Sequence, residues 1–522
     1  MQRQVELWLS PRESATLNDF KPLLSRKINI PKNRISSYQI IKKSIDARGA
    51  HVKIVMLFNV FIDEQPQVEP SVKTWWPRVR SNKRVIVVGA GPAGLFAALC
   101  LIEHGIKPVI IERGKDVSQR KADVATINRP QTASYINPDS NYCFGEGGAG
   151  TFSDGKLYTR SNKRGDINRI LKIFTAHGAN PDILYEAHPH IGSDKLPSII
   201  TSIRNTILDA GGEVLFNTRL SDLIIENNEV KGIRTSKGNE ISGDAVILAT
   251  GHSAHDIYEL LEKKHIALEP KPFALGVRVE HPQALIDSIQ YKTDNRGDFL
   301  PPATYKLVQQ VNDRGVFSFC MCPGGIIVPA TTEPGLLVVN GMSNSKRNGP
   351  YANSGIVVTV NPEDIHGYDD YGALKGLAFQ KDIEKACFIA GGSNQAAPAQ
   401  RMADFSSGKI SSSLPETTFN PGISSAPLHQ ILPPFVASAL QQGFIEFGKK
   451  MKGYFTNEAL LLGTESRTSS PVRIPRDPQS YEHVQIKRLF PSGEGAGYAG
   501  GIVSSAMDGE NCARAAAALY NR

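Results

Sequence analysis

The residues with the most chemistry in them lie in 315-GVFSFCMCPGGIIVPA-330, where Cys320 and Cys322 are one residue apart and Pro-Gly-Gly follows. On an extended strand such residues share a face, with Cα atoms about 6.5 Å apart. That is near the upper limit for a disulfide, and the spacing is not the C-x-x-C of thioredoxin-like sites. Three readings stay open: small residues packed beside a pocket, one reactive thiol at Cys320 or Cys322, or a transient disulfide or metal clip. The turn Pro323-Gly324-Gly325 would let backbone approach a ligand.

The histidines raise a second question. His188 and His190, in AHPHIG, would share a strand face and suit a metal, but no third ligand stands nearby in sequence, so no metal site is assigned. His190 is kept as a candidate proton carrier. His252 and His255, in ATGHSAHD, follow an apolar strand and read as a helix start capped by Ser253. Lys156, in SDGKL, is either an anion partner or a solvated lysine.

These groups need a scaffold. Residues 85–102, VIVVGAGPAGLFAALCLI, carry no charge and approach the length of a membrane span. Three glycines and a proline within six residues instead make them strand, turn and helix, so no membrane span is expected. Gly89, Gly91 and Gly94 form G-x-G-x-x-G, with Pro92 and Ala93 inside it, and Glu112 and Arg113 end the next strand. In this context the motif is a dinucleotide fingerprint. Gly89 permits the tight turn, Gly91 admits the pyrophosphate, and Gly94 lets helix pack on strand. The helix N-terminus faces the phosphates. A carboxylate at Glu112 suits ribose hydroxyls and disfavours a 2′-phosphate, which points to NAD or FAD rather than NADP.

At 522 residues, several domains are expected. Residues 1–65 read as a small basic α/β module, ferredoxin-like, with one helix over 17–28. Residues 66–83 form a Pro-rich linker whose Trp75 and Trp76 dock on a neighbour. Residues 84–270 plus 485–522 form the Rossmann-type domain, and residues 271–484 a β-rich domain with helices near 372–390 and 433–450. The composition, 40% hydrophobic and 21% charged, is that of a folded globular chain. Six scattered cysteines and a start without an apolar run suggest the reducing cytoplasm. Residues 1–80 hold 14 Lys and Arg against 7 Asp and Glu, nearly all of the net +8. A basic module could meet RNA or another polyanion, but no nucleic-acid fingerprint is present, and a solvated basic face is the preferred reading.

Further along, the loop 145-GEGGAGTFSDGKL-157, the strand end at Thr250-Gly251 and the late PSGEGAGYAGG resemble the glutathione-reductase-like flavoproteins. With SNYCFGEGGAGTFSDGKL, PHIG, KPFALGVRVEHP, FSFCMCPGG, VNGMSN and FPSGEGAGYAGGIVSSAMDG, nearly the whole chain resembles a bacterial family called FAD-dependent dehydrogenases. The resemblance implies FAD, held by Gly145, Gly147, Gly148, Ala149, Gly150 and Thr151, by Leu220, Thr250 and Gly251, and by Gly493 and Glu494, where Glu replaces the usual Asp. Gly500, Gly501 and Ile502 would open a helix towards the flavin. No second fingerprint is found, so NAD(P)H would dock only transiently. The expected activity is a dehydrogenase or reductase passing a hydride between flavin N5 and a small-molecule substrate roofed by the β-rich domain. Cys320, Cys322 and His190 are its catalytic candidates; the alternative is a flavoprotein tethered to RNA. No motif assigns an oligomeric state.

Overall fold

A computed structural model describes residues 1–66, 72–130, 136–159 and 164–521. Part of the Pro-rich linker, residues 67–71, lies outside the described residues.

The three apolar runs RVIVV, KPVII and AVIL are buried on both faces, and they form parallel strands at the centre of a covered sheet. The order is Leu489–Pro491, Ala245–Leu248, Arg84–Val88, Lys107–Ile111, Glu213–Leu215. Every neighbouring pair is parallel. One face is covered by helices Pro92–Glu103, Ile167–Ala176, Leu196–Asp209 and Ile502–Ala518. The other is covered by a three-stranded meander, beginning at Leu220–Glu226, and helix His255–Lys263. The last helix runs so close to Pro92–Glu103 that a Cβ on Gly509 would sit 2.0 Å from the Ala93 carbonyl oxygen. The chain's end is therefore built into the same core as its fingerprint.

The β-rich part is a seven-stranded sheet, antiparallel except where Ile423–Ser425 runs parallel to Ala397–Arg401. Strand Phe273–Pro282 sits at its centre, between Tyr351–Val360 and Leu460–Glu465. The two expected helices are present as Lys375–Ala390 and Pro434–Lys450. A third helix, Gln283–Tyr291, was not anticipated.

The N-terminal module departs from expectation. It has three antiparallel strands, Gln2–Leu9, Lys53–Ile62 and Ile35–Asp46 in spatial order. A ferredoxin-like fold needs a fourth strand and a second crossover helix, and neither is there. The helix expected over 17–28 forms as Lys21–Ile28, with Pro22 in its first turn, and an unanticipated helix, Pro11–Thr16, started by a Ser10/Glu13 capping box, precedes it. The module is fastened by main chain: Lys43 N donates to the Tyr185 carbonyl at 2.8 Å and Ala187 N to the Lys43 carbonyl at 2.9 Å. Trp76 packs on His177 with ring centroids 5.1 Å apart, and Arg169 lies 4.6 Å over the Trp75 ring.

Candidate functional site: a dinucleotide cleft with an ionisable wall

The fingerprint glycines do three different jobs. Gly89 has φ 106°, and a Cβ there would meet the Ala249 carbonyl oxygen at 2.4 Å. A Cβ on Gly94 would lie 1.9 Å from the Gly89 carbonyl oxygen, so helix and strand touch only because it is absent. At Gly91 the nearest protein atom is 3.9 Å away. Nothing in the protein demands a glycine at 91; the space there opens into a cleft of about 370 Å³. An unfilled cradle in front of an uncapped helix start is what a pyrophosphate needs.

Glu112 is buried, and its carboxylate accepts from Ala90 N at 2.8 Å, Gly114 N at 2.9 Å and Gly145 N at 3.0 Å. A carboxylate has about four acceptor positions, so one remains for a ribose hydroxyl, and Glu112 does line the cleft. Three backbone donors hold it in place. Arg113 lines the same end, paired with Asp256 at 2.6 Å and stacked 4.4 Å from the Phe144 ring centroid.

The GEGGAG loop is shaped from behind. Arg120, fully buried, donates to the carbonyls of Asn141 at 2.8 Å, Tyr142 at 2.8 Å and Glu146 at 2.7 Å. Burial pulls this guanidinium down to about 10. Gly148, Ala149 and Gly150 face the cleft, as do Pro92, Ala93, Leu220, Thr250 and Gly251. Gly94, Gly145, Gly147 and Thr151, expected as cofactor contacts, do not line it. Gly145 is spent on Glu112, and the Thr151 hydroxyl fills the space beside Gly147 while donating to the Glu146 carbonyl at 2.9 Å. They support the wall rather than form it.

The C-terminal segment closes the cleft. Gly493 N donates to Asp508 at 2.7 Å, and Asp508 is clamped by Arg476 at 2.6 Å. Helix Ile502–Ala518 starts at Gly501 with no side-chain cap, and Gly493, Glu494, Gly500, Gly501, Ile502 and Ser505 line the cleft. Glu494 meets His252 Nδ1 at 3.2 Å. Burial works against this carboxylate's charge, yet His252 and the Gly501 N–H outweigh it and hold the group below the ordinary carboxylate value. His252, read from the sequence only as part of a helix start, is thus a cleft residue. Ser253 does not cap the following helix; Ala254 stands at that position, and buried His255 pairs with Glu333 at 3.1 Å instead.

Opposite the glycine wall, strand Arg314–Cys322 carries the cysteines. Pairing with strand Tyr351–Val360 slips between Phe319↔Gly355 and Cys322↔Asn353, placing Cys320 in a bulge with φ 46°. The bulge overturns the expected shared face. Cys320 lines the cleft, whereas Cys322 is fully buried and its thiol donates to the Cys320 carbonyl at 3.3 Å. Behind them sits Arg278, also fully buried. It donates to Glu465 at 2.9 Å, Asn353 Oδ1 at 2.9 Å and the Cys320 carbonyl at 2.8 Å, and it reaches Cys322 Sγ at 3.5 Å. Burial pushes Glu465 up to about 7 against the pull of Arg278.

Lys156 comes from the loop after GEGGAG. Its ammonium donates to the Met321 carbonyl and lies 4.0 Å from Cys320 Sγ and 4.0 Å from Asp154. Burial pulls Lys156 down, but the charges of Cys320, Cys322 and Asp154 prevail and raise it. A hydrogen bond from Cys322 outweighs burial and, with Lys156 and Arg278, holds the Cys320 thiol well below its usual range. The same bond and burial push Cys322 well above it. His190 does not reach the cleft. Its Nε2 is occupied by the Ser345 carbonyl at 3.2 Å, and burial and Arg347 keep the ring below the ordinary histidine value. Among the described residues no group of His, Cys, Asp and Glu is arranged to hold a metal ion, and no helix is long and apolar enough to cross a membrane.

Comparison with known proteins gives matches along most of the chain. Residues 82–132 match the model described as FAD binding domain, 201–271 Glucose inhibited division protein A, and 272–468 FAD-dependent protein, C-terminal domain-like. Residues 1–61 match a domain of unknown function. An uncharacterized protein of Clostridium beijerinckii is 41% identical over 515 residues, which cover 94% of each chain. A digeranylgeranylglycerophospholipid reductase of Methanothrix thermoacetophila is 30% identical over 176 residues, 32% of this chain and 39% of that one. The crystal structure of a geranylgeranyl bacteriochlorophyll reductase-like protein from Thermoplasma acidophilum covers 84% of this chain and 79% of its own, at 12% identity and TM-score 0.36. The cradle at Gly91, the anchored Glu112 and the matched FAD models make FAD the cofactor, and the chain belongs to the same family as the Clostridium beijerinckii protein.

Proposed function

We propose that this protein is an FAD-dependent oxidoreductase acting on a small-molecule substrate, its cleft spanned by the dinucleotide in the glutathione-reductase-like manner. The observation that carries the reading is the lining of the cleft: the backbone of the fingerprint and GEGGAG loops with Glu112 and Arg113, joined by the ionisable groups of Lys156, Cys320, His252 and Glu494. The adenosine half belongs against Glu112, Gly91 and Leu220, and the flavin against Gly150, Ile502 and Lys156. When bound, FAD supplies a reversible two-electron acceptor. The chain's own residues then do three things. The uncapped N-terminus of helix Ile502–Ala518 presents N–H groups that favour negative charge. The Lys156 ammonium adds a fixed positive charge on the opposite wall. Arg467 and Asn340, also lining the cleft, offer hydrogen-bond donors to a substrate. A single fingerprint implies that NAD(P)H, if it is the electron donor, docks transiently.

The test is anaerobic reduction of the purified yellow protein by NADH, NADPH, thiols and candidate metabolites, followed at the flavin absorbance. Bleaching by one class, with reoxidation by a second, is the expected outcome. A protein that takes up no FAD, or whose FAD no donor reduces, contradicts the reading.

A further inference from the structure

We propose that Cys320 and Cys322 are a dithiol–disulfide pair exchanging two electrons with the cofactor in the cleft, and that the protein's second substrate is a thiol or disulfide compound. The proposal rests on the oxidoreductase reading above and names its substrate class.

Three independent features converge on the pair. The first is backbone strain. Cys320 holds φ 46° although it is not glycine, a conformation that survives only when its surroundings impose it. Here they do: buried Arg278 grips the Cys320 carbonyl at 2.8 Å while it is itself held by Glu465 and Asn353. The second is what the strain achieves. In a regular strand the two Cα atoms would stand about 6.5 Å apart with parallel side chains. The bulge turns Cys320 into the cleft while the Cys322 thiol, donating to the Cys320 carbonyl at 3.3 Å, stays directly behind it. The third is the charge around them. Lys156 reaches Cys320 Sγ from one side and Arg278 reaches Cys322 Sγ from the other. The remaining charged groups facing this cluster are Asp154, itself paired with Arg347 at 2.5 Å, and Glu465. Both cations favour the thiolate, the reactive form, and Cys320 is the member of the pair that lines the cleft.

The chemistry balances without another reagent. Cys320 thiolate and Cys322 thiol join in an S–S bond. The two electrons and the Cys322 proton pass to oxidised FAD, which becomes its singly anionic, two-electron-reduced form. Two external thiols then reopen the disulfide, each giving a hydrogen to one cysteine and leaving as their own disulfide. In reverse, the pair reduces an external disulfide at the expense of reduced FAD.

The test is made on the full chain in a Cys143→Ser background, which removes the other cleft thiol, with and without FAD. The protein is equilibrated in glutathione redox buffers and alkylated with iodoacetamide, and the peptide carrying both cysteines is weighed. The expected result is reversible loss of two hydrogens from that peptide, abolished by Cys320→Ser and by Cys322→Ser. Cys320 should be alkylated at pH 7 roughly tenfold faster than an ordinary thiol, and Lys156→Met should remove that advantage. Should Cys320→Ser fold poorly, Cys320→Gly accepts φ 46° and serves instead. No intramolecular disulfide at any buffer ratio, or ordinary reactivity at Cys320, overturns the proposal. FAD that NADH reduces while the pair stays inert overturns this inference and keeps the oxidoreductase reading. A reactive pair in a chain that never takes up FAD overturns both.

Discussion

The two walls of the cleft are made in opposite ways. The glycine wall is main chain: its shape comes from positive φ at Gly89 and missing Cβ atoms, and its one essential side chain, Glu112, is fixed by three backbone N–H groups. The facing wall is side chain. Lys156 is aimed by a loop, and Cys320 by a bulge held by Arg278, whose partners lie 42 to 187 residues away in sequence. A main-chain wall binds a constant shape such as a pyrophosphate. A side-chain wall can be retuned for a particular substrate while the cofactor end stays the same.

Breaking the side-chain wall should cost most. Arg278→Met leaves Glu465 buried without its partner, and the expected loss of stability is about 3–5 kcal/mol by denaturant unfolding. Arg278→Met combined with Glu465→Leu should recover much of that loss; no recovery would mean that the arginine acts through the strand bulge instead.

His281 extends the contrast into the β-rich core. It lies beside Tyr454 at 4.5 Å between centroids, and its Nε2 meets the Tyr454 carbonyl at 2.9 Å, which makes Nε2 the protonated nitrogen. Burial pushes it down to about 4 from 6.5. Because the folded value lies below the unfolded one, the unfolded chain takes up the proton first as pH falls. The stability from keeping the ring neutral is present above pH 6.5 and is lost between about 6.5 and 4, by roughly 3 kcal/mol at most. Glu465 titrates in an overlapping range with the opposite slope, so the quantity to measure is the difference between wild type and His281→Phe. A difference flat across that range contradicts the assignment.

The glycine wall yields smaller and more selective effects. Gly94→Ala forces a methyl group against the Gly89 carbonyl and should cost about 1–3 kcal/mol along with FAD. Gly91→Ala meets nothing closer than 3.9 Å in the protein, so its unfolding midpoint should hardly move. FAD affinity alone should fall, by roughly tenfold or about 1.4 kcal/mol. Equal destabilisation by the two alanines would erase the distinction drawn between a packing glycine and a ligand-facing one.

The same contrast explains what could be read in advance. The fingerprint, the GEGGAG loop and the Gly500-Gly501 helix start were legible because main-chain geometry is tied to residue type. The ionisable wall was not. C-x-C on a strand predicts parallel side chains, and only a bulge, which leaves no mark in FSFCMC, reverses one of them. Arg278 offered one overlooked signal: it is a lone arginine in the otherwise apolar run FALGVRV, where a buried charge must have a partner. His190 misled because its short-range pattern suited a reactive site, whereas its ring is used to tie the loop at Ser345.

The measurement closest to the central claim is a crystal structure of the FAD complex. The adenosine ribose is expected on Glu112 and the flavin ring between the start of helix Ile502–Ala518 and the Cys320–Lys156 wall. A flavin ring lodged at the Glu112 end, or one separated from Cys320 by intervening protein, would contradict it.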